Sequence, residues 1–166
     1  KNADFIQFAQ DILQSAVDNK PVDMDALKAL KLKGRAIGDL VTEQIGIIGE
    51  KLDLSYYASI EANQVVAYVH PGNKLATLIG LNKAMDIQVG KDIAMQVAAM
   101  NPVAIDKGDV PPEIIEKEKE IGREQARNEG KPENMLDRIA EGKLNKFFRE
   151  STLLNQEFTK DSSKTI

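Results

Sequence analysis

Two interruptions in the second half of the chain set limits on what it can become. Asp92-Ile93-Ala94-Met95-Gln96-Val97-Ala98-Ala99-Met100 runs as a helix into Asn101-Pro102, and a highly charged stretch then breaks at Gly130-Lys131-Pro132 before resuming as Met135-Leu136-Asp137-Arg138-Ile139. Proline resists a helix interior and glycine accepts the turn after one, so this order predicts a buried helix followed by two long polar helices folded back on each other. Apolar residues in the first of the pair thin to Ile114, Ile115, Ile121 and Ala126, too few for the inside of a globule. The return helix carries Met135, Leu136, Ile139, Leu144, Phe147 and Phe148, so the two are expected to zip along one narrow coiled-coil seam and to project.

The first third is helical by periodicity. Phe5, Phe8, Ala9, Ile12, Leu13, Ala16 and Val17 fall at spacings of three and four, ending near Asp18-Asn19-Lys20-Pro21. A second helix begins near Asp23 and leads through Leu27, Leu30 and Leu32 towards Gly34. A third spans about Ala36 to Gly49, with Ile37, Leu40, Val41, Ile45 and Ile48 inward. The pattern then changes to strand: Leu52 and Leu54, then Tyr56 to Glu61, then a hairpin of Val65 to His70 and Leu75 to Gly80 across Pro71-Gly72-Asn73. Three antiparallel strands packed by the helix of about Lys91 to Met100, with Asp92 near its N-terminus, give an α+β fold: a small antiparallel sheet packed by helices, with an inserted antiparallel helical hairpin. Asp106 to Pro112 has linker character.

Several function classes are excluded or disfavoured. The chain of 166 residues has no cysteine, so disulfides, thiolate zinc sites and a cysteine nucleophile cannot occur within it. A net charge of -4 argues against non-specific nucleic-acid binding, which needs a basic face. No apolar run approaches the roughly 20 residues that span a bilayer, and no signal sequence opens the chain, so a cytoplasmic protein without membrane contact is expected. Gly34 and Gly38 lack the lysine and hydroxyl residue of a phosphate-binding loop, so no nucleotide is expected to bind directly, and no cofactor or metal is implied.

Single residues carry two readings. His70, the one histidine, is either a plain turn residue or a contact at a strand end; with no fixed partner it supplies neither a catalytic triad nor a ligand set. The charges of residues 113 to 123 read as a solvated helix face. Met95 and Met100 read as packing beside the sheet. Gly49, after Ile47-Ile48, is either a simple C-terminal cap or the end of a helix that presents a small aliphatic wedge.

At these residues the chain resembles the elongation factor Ts family, guanine nucleotide exchange factors for elongation factor Tu in translation elongation. The similarity runs through Tyr68-Val69-His70, Asp92 to Pro102, Val110 to Lys119, Glu129-Gly130-Lys131-Pro132-Glu133, Glu141-Gly142-Lys143-Leu144 and Lys160 to Ile166, in the family's order. The resemblance implies an N-terminal core subdomain over 1–62, the first part of a C-terminal core subdomain over 63–105, the hairpin insertion over 106–150 and a return to the second subdomain over 151–166. It also implies that Ile48, Gly49 and His70 contact the GTPase. The ends look cut: the family's N-terminal helical domain and its Thr-Asp-Phe-Val motif are not in the sequence, and Lys1-Asn2 resembles the residues that come immediately after that motif. The partner expected is elongation factor Tu, and no chemical reaction is expected of the chain. An alternative from another class is a dimerisation or scaffold module that pairs two copies through the hairpin.

Overall fold

The computed structural model describes residues 3–166; Lys1-Asn2 lie outside the described residues. The chain divides into two compact units, Lys1–Ser59 and Ile60–Ile166.

In the first unit, helix α1 (Ala3–Asn19) turns Ile12 and Ala16 into the core, while Leu13 and Val17, expected on the same face, are exposed. Helix α2 (Met24–Ala29) starts at Asp23, whose carboxylate accepts from the Ala26 N–H at 2.7 Å and satisfies one of the free donors of the first turn. It is shorter than the leucine pattern predicts. Leu32 instead belongs to a small hairpin of β1 (Lys31–Leu32) and β2 (Arg35–Ala36), joined by Lys33 and Gly34 at φ 53° and 81°. Two successive residues in the left-handed region match the twist of a two-residue hairpin turn. Helix α3 (Ile37–Ile48) buries Ile37 and Val41 against Ile12, Ala16 and Leu27. Burying Ile37 completely contributes on the order of 1.5–3 kcal/mol.

The strand expected over Leu52 to Glu61 does not form. Leu52, Leu54 and Tyr57 are half-buried against the helical core. Alternating burial arises wherever one side of an open chain is covered, but a strand also needs a partner for its N–H and C=O groups, and here the cover is helices.

In the second unit, β3 (Gln64–Val69) and β4 (Ala76–Leu81) pair antiparallel, with Tyr68 opposite Thr77 and Val66 opposite Ile79. The sheet has two strands rather than three. Helix α4 (Ile87–Met100) covers it, placing Ala94 against Val66 and Ile79. The helix begins earlier than expected. Asp86 is its cap, accepting from the Gln88 N–H at 2.7 Å, and Asp92 lies a turn and a half inside. Gly90 allows the close approach: a Cβ there would sit 2.7 Å from Val66 Cγ2. The helix ends as expected, at Asn101 with φ 42° followed by Pro102.

The segment after Asn101 is not a loose linker. Asp106 and Asp109 form a reciprocal cap around a 3-10 turn, Lys107–Asp109, and Val110 is buried. Helices α5 (Pro112–Asn128) and α6 (Leu136–Ser151) then form the expected antiparallel hairpin, turned at Gly130 with φ 73°. Its closest approach uses small residues: a Cβ on Gly122 would lie 3.0 Å from Ala140 Cα, and Ala126, Leu136 and Leu144 are buried alongside. Arg123–Asp137 at 2.8 Å links the helices and Arg127–Glu133 at 3.0 Å ties α5 to the turn before α6, beside i,i+3 pairs such as Arg123–Glu120. Past α6, β5 (Glu157–Phe158) and β6 (Asp161–Thr165) form a third two-stranded sheet.

Gln96, on α4, is fully buried. Its amide nitrogen donates to the Glu157 carbonyl at 3.0 Å and to Gln156 Oε1 at 3.3 Å, and its oxygen accepts from the Thr159 N–H at 2.9 Å. Nearby, Lys160 Nζ donates to Asp92 Oδ1 at 2.6 Å, and Gln88 Nε2 to the same oxygen at 2.8 Å.

The helix pairing and the Asp92 contacts each carry an expected outcome. Gly122→Ala is expected to destabilise the hairpin by about 1–3 kcal/mol, because the new methyl meets Ala140 backbone. Gly142→Ala, facing open space on α6, is expected to stabilise by roughly 0.5–1 kcal/mol; urea unfolding of both variants gives the comparison, and equal shifts would refute the close approach. Lys160, then Gln88, hold the Asp92 carboxyl below the usual carboxylate range. That contribution is present above the ordinary carboxylate pKa and is lost as pH falls through the lowered folded value. Asp92→Asn is expected to flatten the acid limb of stability measured across that window.

Candidate partner-contact site

The expected contact residues sit at the ends of regular elements, Ile48 and Gly49 at the end of α3 and His70 just past the end of β3. Ile48 and Gly49 belong to the first unit and His70 to the second.

Helix α3 stops at Gly49, which has φ 77° and returns its N–H to the Ile45 carbonyl at 2.9 Å. This is the left-handed cap that glycine makes without a Cβ penalty. The same turn leaves aliphatic side chains at the helix end: Ile47 is 67% exposed and Ile48 37% exposed. Ile48 is therefore the lower part of the wedge and Ile47 its crest. Both features of Gly49 hold together, because the cap that ends the helix is also what leaves the two isoleucines uncovered. Ile48 lines a hollow of about 230 Å³ with Phe5, Glu50, Lys51 and Leu52.

His70 follows the last residue of β3 and is exposed. Its N–H donates to the Leu75 carbonyl at 2.9 Å and its carbonyl accepts from the Asn73 N–H at 2.9 Å, which closes the hairpin across Pro71-Gly72. Gly72 has φ 97°. Proline followed by a glycine in that region is the requirement of a type II turn. The backbone at His70 is thus fixed on both sides.

The imidazole is also held. Tyr68 Oη and His70 Nδ1 share a hydrogen bond of 2.9 Å, and the two rings meet edge to face with centroids 6.0 Å apart at 65°. Tyr68 is half-buried on the Val66–Ile79–Ala94 core. Opposite Tyr68 stands Thr77, whose hydroxyl donates to the Ala94 carbonyl at 2.7 Å. Tyr68 was not among the expected contact residues, yet its signal is present in the sequence: residues two apart on a strand share a face, so Tyr68 and His70 had to be neighbours.

Among the described residues there is no group of three or more histidine, aspartate or glutamate side chains that could hold a metal, and no helix is long and apolar enough to cross a membrane. What the two element ends offer is an apolar wedge and an oriented ring with hydrogen-bonding capacity. Those are the means of a protein contact.

A family model described as elongation factor TS matches residues 1–166. Curated relatives named elongation factor Ts include those of Porphyromonas gingivalis, 52% identical over 167 residues, and Amoebophilus asiaticus, 50% identical over 169 residues. Each alignment covers 100% of this chain and 61% of the relative. The protein of Methylobacillus flagellatus is 44% identical over 167 residues, with 57% of its length covered. The chain thus spans about three-fifths of the length of the first two relatives.

The cap makes its own prediction. A Cβ on Gly49 would meet nothing within 4 Å, so the cost of Gly49→Ala is backbone strain alone, about 1–2 kcal/mol for an alanine in the left-handed region. Gly49→Asn, which tolerates that region, is expected to lose clearly less in a thermal melt. Equal losses would mean that the side chain, not the backbone, is the problem.

Proposed function

Since the chain belongs to the elongation factor Ts family, we propose that it binds elongation factor Tu and promotes release of GDP from that GTPase during translation elongation. The observation that carries the contact assignment is the helix end at Gly49, where a left-handed cap leaves Ile47 and Ile48 exposed beside the turn. An aliphatic wedge of this kind suits insertion between elements of a partner, and His70 adds a polar contact from the second unit. Residues 1–62 and 63–105 then serve as an N-terminal core subdomain and the first part of a C-terminal one, each supplying contacts to the GTPase. The hairpin of residues 106–150 is an inserted arm, and residues 151–166 return to the second part.

The proposed mechanism is differential binding. A factor that holds the GTPase in an open state with weak affinity for GDP accelerates GDP departure, and no bond is made or broken on the factor. Linkage makes the effect reciprocal: nucleotide weakens the factor by the same ratio as the factor weakens nucleotide. A ten-thousand-fold weakening corresponds to roughly 5.5 kcal/mol of preference for the open state.

The test is release of labelled GDP from elongation factor Tu with and without the chain, together with its binding to nucleotide-free elongation factor Tu. Binding that GDP and magnesium abolish is the expected result. Ile48→Asp is expected to weaken that binding at least about tenfold, because it places a charge where an apolar side chain is desolvated. Absence of binding to either form at high micromolar concentration would overturn the proposal. If mass then rises with concentration in sedimentation of the chain alone, a dimerisation module becomes the better description.

A further inference from the structure

We propose that Tyr68 is a positioning residue for the contact made by His70, setting the imidazole tautomer so that Nε2–H points outward as a donor to an acceptor on the partner. This deepens the proposed function and rests on its assignment of His70 as a partner contact.

The geometry leaves the ring two ways to share the hydrogen bond with Tyr68. A phenol O–H is the better donor and an unprotonated imidazole nitrogen the better acceptor, so in the neutral ring the hydroxyl donates and Nδ1 accepts. The ring proton then resides on Nε2, because a neutral imidazole carries only one. The 2.9 Å distance and the edge-to-face packing fix the ring plane as well as the proton. An exposed histidine without such a partner samples both tautomers and several rotamers, and must give up that freedom on binding.

Tyr68 can serve as a fixed reference because it is not itself loose. Its ring rests on the core of Val66, Ile79 and Ala94, and its strand position is locked by pairing with Thr77. The anchoring side chain is thus part of the fold, whereas the side chain it orients is exposed. The group that meets Nε2 in the partner must be an acceptor, a backbone carbonyl or a carboxylate; a lysine or arginine there would face a donor.

The chain contains one histidine, so its ring signals are unambiguous. Imidazole nitrogen NMR on the chain, with the ring neutral, is expected to show Nε2–H predominating; Tyr68→Phe, which retains the packed ring and removes only the hydroxyl, is expected to move the population towards a mixture. The same variant is expected to bind nucleotide-free elongation factor Tu roughly fivefold more weakly, the size of the freedom that one immobilised side chain gives up on binding, with its cooperative melting retained. Histidine replaced by glutamine retains a donor near the Nε2 position and by asparagine near Nδ1, so His70→Gln is expected to bind better than His70→Asn. A wild-type ring carrying its proton on Nδ1, or a tautomer population that Tyr68→Phe leaves unchanged, overturns the proposal. So does a shifted population with wild-type binding. Wild-type binding by His70→Ala overturns instead the contact reading on which it rests.

Discussion

The second unit depends on a buried amide. Gln96 is on the helix that covers the β3–β4 sheet, and its side-chain hydrogen bonds go to residues 156–159, beyond the helical hairpin. Gln156 extends the chain of bonds by donating to the Glu150 carbonyl at 2.9 Å, at the end of α6. A buried amide that loses a partner costs about 1–3 kcal/mol, so the arrangement is specified as well as stabilised. Among the described residues no buried side-chain nitrogen or oxygen lacks a partner. The covering helix, the segment of residues 156–159 and the base of the hairpin are therefore held by one set of polar contacts rather than by apolar packing alone.

The two proposed contact regions share a physical logic although their chemistry differs. Each uses a left-handed glycine, Gly49 or Gly72, to end or reverse an element abruptly. An abrupt end leaves the last side chains standing clear of their own backbone. Rigid elements beneath them hold the positions: Ile37 and Val41 anchor α3, and Val66 and Tyr68 anchor β3. Preorganised side chains of this kind lose less entropy on binding than side chains on a mobile loop.

What the sequence made legible was local. Gly130-Lys131-Pro132, Asn101-Pro102 and Gly49 each stop a helix by backbone chemistry that acts within a few residues, and each is found where expected. The α+β class, the helical hairpin and the β3–β4 turn come from such signals. The misses needed information from elsewhere in the chain. Leu52 and Leu54 alternate correctly, but whether they join a sheet depends on a neighbouring strand that the fold does not provide. Nothing near Gln96 in the sequence signals its burial, which depends on partners about 60 positions away. Asp92 looks like a helix-start charge until Asp86 is seen to cap the helix and Lys160 to claim Asp92. The cap at Gly49 was readable for the same local reason as the other helix stops, but the exposure of Ile48, expected inward, was not; the hold of Tyr68 on His70 required attention to which strand residues share a face.

The hairpin is closed at its base. Val103 donates to the Ser151 carbonyl at 2.8 Å, Leu153 to the Ala104 carbonyl at 3.0 Å, Leu154 to the Ile105 carbonyl at 3.0 Å, and Asn155 to the Asp106 carboxylate at 2.7 Å. The chain thus enters and leaves the insertion at nearly one point, and the intervening helices pack chiefly on each other. Because loop closure grows only logarithmically with length, the body beneath registers the length of the arm weakly. Lineages could lengthen, trim or replace α5 and α6 with little disturbance to the sheet, so the reach of the arm can evolve as a quantity separate from the surface that the core presents.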